Sequence, residues 1–565
     1  MNSAAKPGND AGAMLSAVQG GALSWVPPLL ALLLSLPILS VASSLFGPSG
    51  EAFQQMAGTV LPRFRANTLF LVLFVGLGVA GLGAGLAWLV SMYRFPGRLL
   101  FEWALVLPLA MPAYVLAYAY TDFLQFAGPL QGGLRELMGW QRGDYWFPEI
   151  RSLPSAALVL TVVLYPYVYL LCRTAFLEQS VCAIEVGRSL GLTGLRTFWR
   201  VALPLARPAL AAGVALALME TLADYGTVAY FGIDTFVTGI YRAWYSYGEP
   251  STAARLSTFL LLCVLLVLAI ERLGRGKQRY HHTSGRYRRL PEERLTGWRA
   301  ALAVAVCGLP LALGFLLPTV LLLHHAWNGG DPGFARRYLL FAANSAVLGL
   351  VAAGLAVALA LLLAYAQRMS PLPQVRLGNR LVALGYAVPG AVVAIGVLIP
   401  FAAFDNWLDG WLRACCGVSS GLLLTGGIAA LVFAYLVRFL GIALQATEAS
   451  LGKIKPTVDA AARSLGARPA RLLLRVHAPL MAGGLMTAGL MVFVDVVKEL
   501  PATLLLRPFD FDTLAVQTFN LARDERLAEA STTALAIVSL GLLPVYVLCR
   551  AIARSRPGHR AAGSR

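Results

Sequence analysis

Long apolar runs recur along this chain, separated by short polar breaks. Crossing the hydrocarbon layer of a bilayer takes about 20 residues of helix at roughly 1.5 Å per residue. Twelve runs are read as such spans: 27–47, 68–93, 101–121, 153–172, 208–231, 252–270, 301–323, 345–366, 381–403, 421–437, 479–505 and 530–549. They are continuous rather than alternating in polarity, so they predict helices, each closing its own backbone hydrogen bonds within lipid. The fold class is an all-α polytopic membrane protein.

The polar breaks repeat. The stretch 185–207 reads EVGRSLGLTGLRTFWRVALPLAR, and 460–480 reads AAARSLGARPARLLLRVHAPL. Arg188-Ser189-Leu190-Gly191 returns as Arg463-Ser464-Leu465-Gly466, a shift of 275 that Pro204 and Pro479 share. Glu220 maps to Asp495 and Asp224 to Glu499 by the same shift, while Asn67 maps to Asn344 and Pro112 to Pro389 by 277. Asp512-Thr513 echoes Asp234-Thr235. A repeat of this length governs the architecture. Six spans per copy is an even number, so both copies face the same way: two parallel six-helix repeats. The expected organisation is a disordered tail 1–26, a first half 27–270, a basic linker 271–299, a second half 300–553 and a tail 554–565.

Each break is expected to form a helix, a glycine turn and a second, amphipathic helix. Gly191 and Gly466 can take the left-handed conformation that ends a helix. After the first turn, Leu195, Phe198, Trp199, Val201 and Ala202 make an apolar face beside Arg196 and Arg200. Such a helix lies on lipid or fits a partner's groove. Two copies at matching positions favour a symmetric pair of partners.

Composition agrees with the span pattern. Of 565 residues 58% are hydrophobic and 13% charged, and mean hydropathy is +0.68; soluble domains carry about 25% charged residues. The net charge of +18 does not indicate nucleic acid. With the N-terminus inside, roughly seven in ten Lys and Arg fall on the inner side, as the positive-inside rule requires. The run between Arg272 and Arg299 is a topology determinant that can also touch anionic lipid. Lys6 is far from the first apolar run, so no cleavable signal is read. Seven cysteines show no CxxC spacing and define no disulfide framework. Vicinal Cys415-Cys416 is a candidate for metal or oxidation, and His281-His282 is read as part of a solvated linker.

Acids within apolar spans are expensive and usually face a polar cavity. Glu220 and Asp224, spaced i,i+4, are expected on one helix face, as are Asp495 and Glu499, with Lys498 between them. Tyr118, Tyr120 and Tyr225 sit at similar depth. Two readings stay open: a crevice lining that attracts a cation, or a network that only holds helices in register. The glycines at 76, 78, 81, 83 and 85 are read as close-packing positions.

The two breaks resemble the coupling motif of binding-protein-dependent ABC importer permeases, Glu-Ala-Ala, then Gly, then a hydrophobic-Pro pair. Glu185 and Gly191 match, with Val186-Gly187 in place of Ala-Ala; in the second copy Ala460 stands where Glu belongs and Asp459 lies one residue earlier. The stretches 220–232, 498–503 and 507–513 resemble fused ferric-iron importer permeases, and the likeness runs over about 25–555. The resemblance implies a type I ABC importer permease. Its ATPase-coupling residues would be Glu185, Arg188, Gly191, Pro204, Asp459, Arg463, Gly466 and Pro479. Its substrate pathway would include Glu220, Asp224, Tyr225, Asp495, Lys498 and Glu499. Implied partners are two copies of a cytoplasmic ABC ATPase and a periplasmic iron-type binding protein, besides membrane lipid. The location is the bacterial inner membrane with both termini cytoplasmic. No cofactor is expected on this chain, ATP and Mg being used by the ATPase.

Fused thiamine, phosphonate and sugar-phosphate permeases share the architecture. An ion-coupled secondary carrier is the rival class, and a membrane enzyme a third. No GxxxxGK[ST] loop occurs, so ATP hydrolysis requires another chain. No HExxH occurs either. The GxSxG matches at 187–191 and 417–421 do not sit on a strand-to-helix turn, and His324-His325 alone is a poor metal site.

Overall fold

A computed structural model describes residues 24–47, 50–141, 143–178, 194–275, 293–329, 334–370 and 372–555. Among these, nine helices are long and apolar enough to cross a membrane, and three bent pairs bring the number to twelve. The expected number is reached when each bent pair is counted as one span.

The bends follow from backbone chemistry. Arg98–Ala110 and Ala113–Met138 meet at 90°. The proline ring at Pro112 disfavours helix at Met111, which is extended (φ −95°, ψ 117°), and Pro112 itself starts the next helix at φ −62°, ψ 138°. The second copy repeats this at Val388 (φ −80°, ψ 127°) and Pro389 (φ −58°, ψ 141°), ahead of Gly390–Cys416. The other bends, 71° between Phe198–Leu205 and Arg207–Ala223 and 79° between Pro469–Leu480 and Ala482–Lys498, follow the two polar breaks. Each is preceded by one widened π turn, Phe198–Ala202 and Leu473–His477, at positions related by the same shift of 275. Such turns concentrate at working parts of helices.

The packing units do not follow the sequence halves. One unit gathers the first span with Ala343–Phe511; the other holds Gly47–Ala342 and Asp512 onward. The halves 27–270 and 300–553 describe the sequence repeat, and the packing units divide the chain at other places. In the first unit, Val26–Ser43 packs on Pro373–Leu384 and Gly390–Cys416 of the second repeat. In the other, Trp298–Asn328 of the second repeat packs on helices of the first and on Leu527–Ser555. Between helices already in lipid there is little hydrophobic drive, so shape decides the neighbour. A Cβ at Gly378 would lie 2.7 Å from the Pro27 backbone, and one at Gly396 would collide with the backbone of Pro37. These glycines leave the groove that receives the first span.

Glycine does similar work in Leu61–Met92, which packs along Leu153–Glu178. A Cβ at Gly78 would lie 2.7 Å from Thr161 and one at Gly83 2.6 Å from Val168, whereas Gly81 and Gly85 face open space. Close packing accounts for the first two and not for the last two. Tyr93–Arg94 pairs in parallel with Glu293–Arg294, tying the described end of the linker to the turn that follows Leu61–Met92.

Candidate functional site

The second polar break is fully described. Pro456–Ser464 is a helix that ends in the glycine turn the sequence predicts: Gly466 has φ +78°, its N–H donates to Arg463 O (2.9 Å), and the Ala467 N–H donates to Ala462 O (3.0 Å). This double bond pattern is a Schellman cap, which satisfies carbonyls the helix end leaves open. Pro469–Leu472 and the π turn Leu473–His477 form the second helix. Its faces separate cleanly. Leu472 and His477 are buried, while Arg463, Arg468, Arg471 and Arg475 are exposed, as are Leu465 at 87% and Leu474 at 64%. Pro479 is exposed just before the following span. The arrangement presents an apolar-and-basic surface on a rigid elbow.

Asp459 faces the other way. It is 7% exposed and takes Nε and Nη2 of Arg368 at 2.7 and 3.2 Å and Nε2 of His477 at 2.8 Å. Burial raises its pKa, but the hydrogen bonds from Arg368 and His477 outweigh this and hold the carboxyl below its usual range. Asp459 therefore does not stand in for the motif glutamate on the exposed surface. Ala460, where that glutamate belongs, is exposed; Asp459 is turned inward by helix periodicity and used internally. Arg463 lies at the surface with Nη2 3.2 Å from Met369 Sδ. Arg368 and His477 are the partners of Asp459 that the sequence reading passed over. A charged residue at the end of an apolar run, here Arg368 after 345–366, was the available signal.

In the first break Glu185, Arg188 and Gly191 lie outside the described residues, as does His281-His282. Pro204 sits in Leu203–Leu205 directly after the π turn. Here the second helix is seated on rings: Trp88 lies 5.5 Å from both Phe176 and Phe198.

The intramembrane acids divide into two kinds. The helix carrying Glu220 ends at Ala223, and the one carrying Asp495 ends at Lys498. Asp224 and Glu499 follow with one shared backbone conformation, φ −69° and ψ 122°. The expected i,i+4 faces are therefore broken: Glu220 does not share a continuous helix with Asp224, nor Asp495 with Glu499. The cause is local capping. Asp224 accepts from Thr227 N (3.1 Å), Thr227 Oγ1 (3.0 Å) and Val228 N (3.3 Å), heading Gly226–Tyr230. Glu499 accepts from Ala502 N (2.9 Å), Thr503 N (2.9 Å) and Thr503 Oγ1 (2.6 Å), heading Pro501–Leu506. A carboxylate at a helix start satisfies open N–H groups and suits the helix dipole.

Glu499 also holds Arg438 at 2.9 Å, with side chains 1% and 9% exposed. Such a pair stands only because both partners are present. Asp495 and Lys498 form a half-exposed pair at 2.8 Å, and Glu220 is likewise half-buried. Tyr225 stacks on Tyr241 at 3.7 Å and tilts against Phe519 at 5.6 Å. The Asp-Thr echo is also a capping device: Thr235 and Thr513 cap Phe236–Tyr241 and Leu514–Arg523. Among the described residues no cluster of three or more His, Cys, Asp or Glu is placed to hold a metal. Cys415 and Cys416 are exposed free thiols.

The described residues are those of a polytopic helical membrane protein whose polar break recurs in the sequence. Comparison with known proteins defines its class. Residues 78–279 match the family model for the inner membrane component of binding-protein-dependent transport systems. The chain is a transmembrane permease subunit of an ABC importer: an inner-membrane component served by a binding protein and a separate ATPase, not itself an enzyme. It is 27% identical over 487 residues to an Fe(3+)-transport system permease protein of Haemophilus influenzae, spanning 86% of this chain and 88% of that protein. A ferric transport system permease protein of Actinobacillus pleuropneumoniae is 22% identical, across 89% and 74%. A probable sulfate transport system permease protein of Chlorokybus atmophyticus is 30% identical, but over only 35% of this chain and 66% of its own length.

Proposed function

We propose that this permease takes up ferric iron handed to it by an iron-type periplasmic binding protein, and that its two elbows seat two copies of the ATPase. The observation that carries the substrate is extent: the relatives named for ferric transport align over most of this chain, whereas the sulfate permease aligns over about a third of it. Ferric ion is a hard acid that prefers carboxylate and phenolate oxygen, which suits a path bordered by acids. Each elbow would fit a cleft on an ATPase subunit, the second through the exposed Arg463, Gly466 and Pro479; in the first copy Glu185, Arg188, Gly191 and Pro204 are the coupling candidates. ATP and Mg, used by those subunits, would favour one arrangement of the helices through differential binding. Both termini would be cytoplasmic.

Within each repeat the half-buried acids, Glu220 in one and Asp495 with Lys498 in the other, are the pathway candidates that lie within a helix and do not head one. Asp224 and Glu499 serve the backbone, and Tyr225 serves an aromatic cluster. The test is ATP-dependent uptake by the assembled complex in proteoliposomes. Ferric iron delivered by the binding protein should accumulate and should not be displaced by sulfate, 2-aminoethylphosphonate, thiamine or a sugar phosphate. Accumulation of one of those solutes in place of iron would overturn the substrate. Uptake that survives loss of the ATPase but collapses with the proton gradient would overturn the class of energy source.

A further inference from the structure

At the inner end of the second repeat, one span holds the whole elbow. Arg368, in the last turn of Phe334–Met369, binds Asp459 on the elbow's first helix. Its remaining donors reach Leu451 O (2.8 Å) and Ile454 O (2.9 Å), just where Ala429–Leu451 ends and its carbonyls need partners. Tyr365, one turn earlier, donates to Pro469 O (3.0 Å) and lies edge-on to His477 with centroids 5.7 Å apart. His477, on the elbow's second helix, is fully buried; its Nε2 meets Asp459, and its Nδ1 has no hydrogen-bond partner. The carboxylate of Asp459 thus joins three segments in a largely buried site.

The first repeat keeps the place and changes the chemistry. By the shifts of 277 and 275, Arg368 corresponds to Ser91, Tyr365 to Trp88, His477 to Ala202, Leu451 to Phe176 and Leu473 to Phe198. Asp459 corresponds to Ile184, which lies outside the described residues. Ser91 and Ala202 are buried, and the space is filled by Trp88, Phe176 and Phe198, with Phe176 and Phe198 6.3 Å apart. Ring contacts are non-directional and tolerate sliding. Charge-assisted hydrogen bonds fix both length and angle, and parting them here would strand a buried charge.

We propose that Asp459, Arg368 and His477 are positioning residues that pin the second elbow to its span as one rigid arm, while the described second helix of the first elbow, 194–205, sets a ring against an aromatic seat. The two arms of the importer are then mechanically unequal. This rests on reading the elbows as the ATPase contacts.

The experiment compares the unaltered complex with Asp459→Asn and with Asp459→Asn combined with Arg368→Met. It records thermal stability, solute imported per ATP hydrolysed, and amide exchange. The single variant should lose stability and speed exchange across 456–464 on the order of a hundredfold, leaving 194–205 unchanged. The double variant strands no charge, so its stability should recover in large part, short of what the lost bonds to Leu451 O and Ile454 O supplied. Its import per ATP should nonetheless stay down roughly fivefold or more. Recovery of coupling along with stability would reduce the cluster to a folding element, and equal acceleration at 194–205 would remove the asymmetry. Tyr365→Phe, which deletes one hydroxyl, serves if the charged variants do not accumulate. It should speed exchange across 469–480 by roughly tenfold, and no change there would refute the tie. Failure of the unaltered complex to import with ATP would overturn the reading beneath the proposal; full coupling in the double variant would overturn the pin alone.

Discussion

Gly466 offers a direct test of whether the elbow transmits force through its backbone shape. Its φ of +78° lies in the left-handed region, and a Cβ built there meets no atom within 4 Å. Any side chain would therefore be strained by backbone conformation alone, not by crowding. For an L-residue that strain is about 1–2 kcal/mol, and a β-branched residue lies at the upper end. About 2 kcal/mol against the turn corresponds to roughly a thirtyfold shift toward arrangements that lose the Gly466–Arg463 and Ala467–Ala462 hydrogen bonds. Asn is of similar bulk to Val but enters this region readily. Gly466→Val should insert normally and hydrolyse ATP with its partner while importing little, and Gly466→Asn should keep most of the import. The assay is paired measurement of ATP hydrolysis and solute uptake in proteoliposomes. An equal loss in both variants would mean that bulk at the partner surface matters and the turn does not. Full import in Gly466→Val would show that coupling does not run through this turn.

Two further outcomes follow from the buried acids. Glu499→Gln leaves Arg438 buried without its counter-charge and should lower stability by about 3–5 kcal/mol. Asp224→Asn weakens a cap with no ion pair and should cost about 1–2 kcal/mol; thermal melts in lipid that reverse this order would discredit the assignment. Because the carboxyl of Asp459 is held below its ordinary range, the stability it contributes is complete above the unfolded value of about 4 and lost as pH falls through the lower folded value. The gap in melting temperature between the unaltered protein and Asp459→Asn should stay constant above about pH 5 and narrow below about pH 4. A gap that closes between pH 8 and pH 6 would contradict that sign.

Spans, repeat and glycine turn were legible because each rests on local chemistry: apolar length, a fixed shift, and a residue free to adopt positive φ. The bend at Pro112 was written in the residue but not in the hydropathy, which stays high across it. The breaks before Asp224 and Glu499 were hidden for a different reason. A carboxylate four residues beyond another looks like helical periodicity, and only Thr227 and Thr503, each accepting the role of capped neighbour, betray a second helix start. Exchange of the first span between repeats left no mark in hydropathy, because every lipid-facing helix looks alike there; Gly378 and Gly396 were its trace. Asp459 was misplaced by one residue of reasoning: next to the motif position in sequence, it is about 100° away around the helix.

The breaks also separate what the duplication keeps from what it varies. Backbone angles at Asp224 and Glu499 coincide, yet Arg438 beside Glu499 corresponds to Val163 in the first repeat. At the inner end Arg173 is bonded to Glu102, while Asn379 and Glu448, the corresponding residues in reversed polarity, meet at 3.3 Å. Geometry is retained and the side chains that enforce it are exchanged. In a permease built from two identical chains any such change falls on both sides at once. A single chain carrying both repeats can alter one side alone, provided the bend, the π turn and the cap still form. The ionic pin on the second elbow and the aromatic seat under 194–205 of the first are that freedom applied at the proposed ATPase contacts.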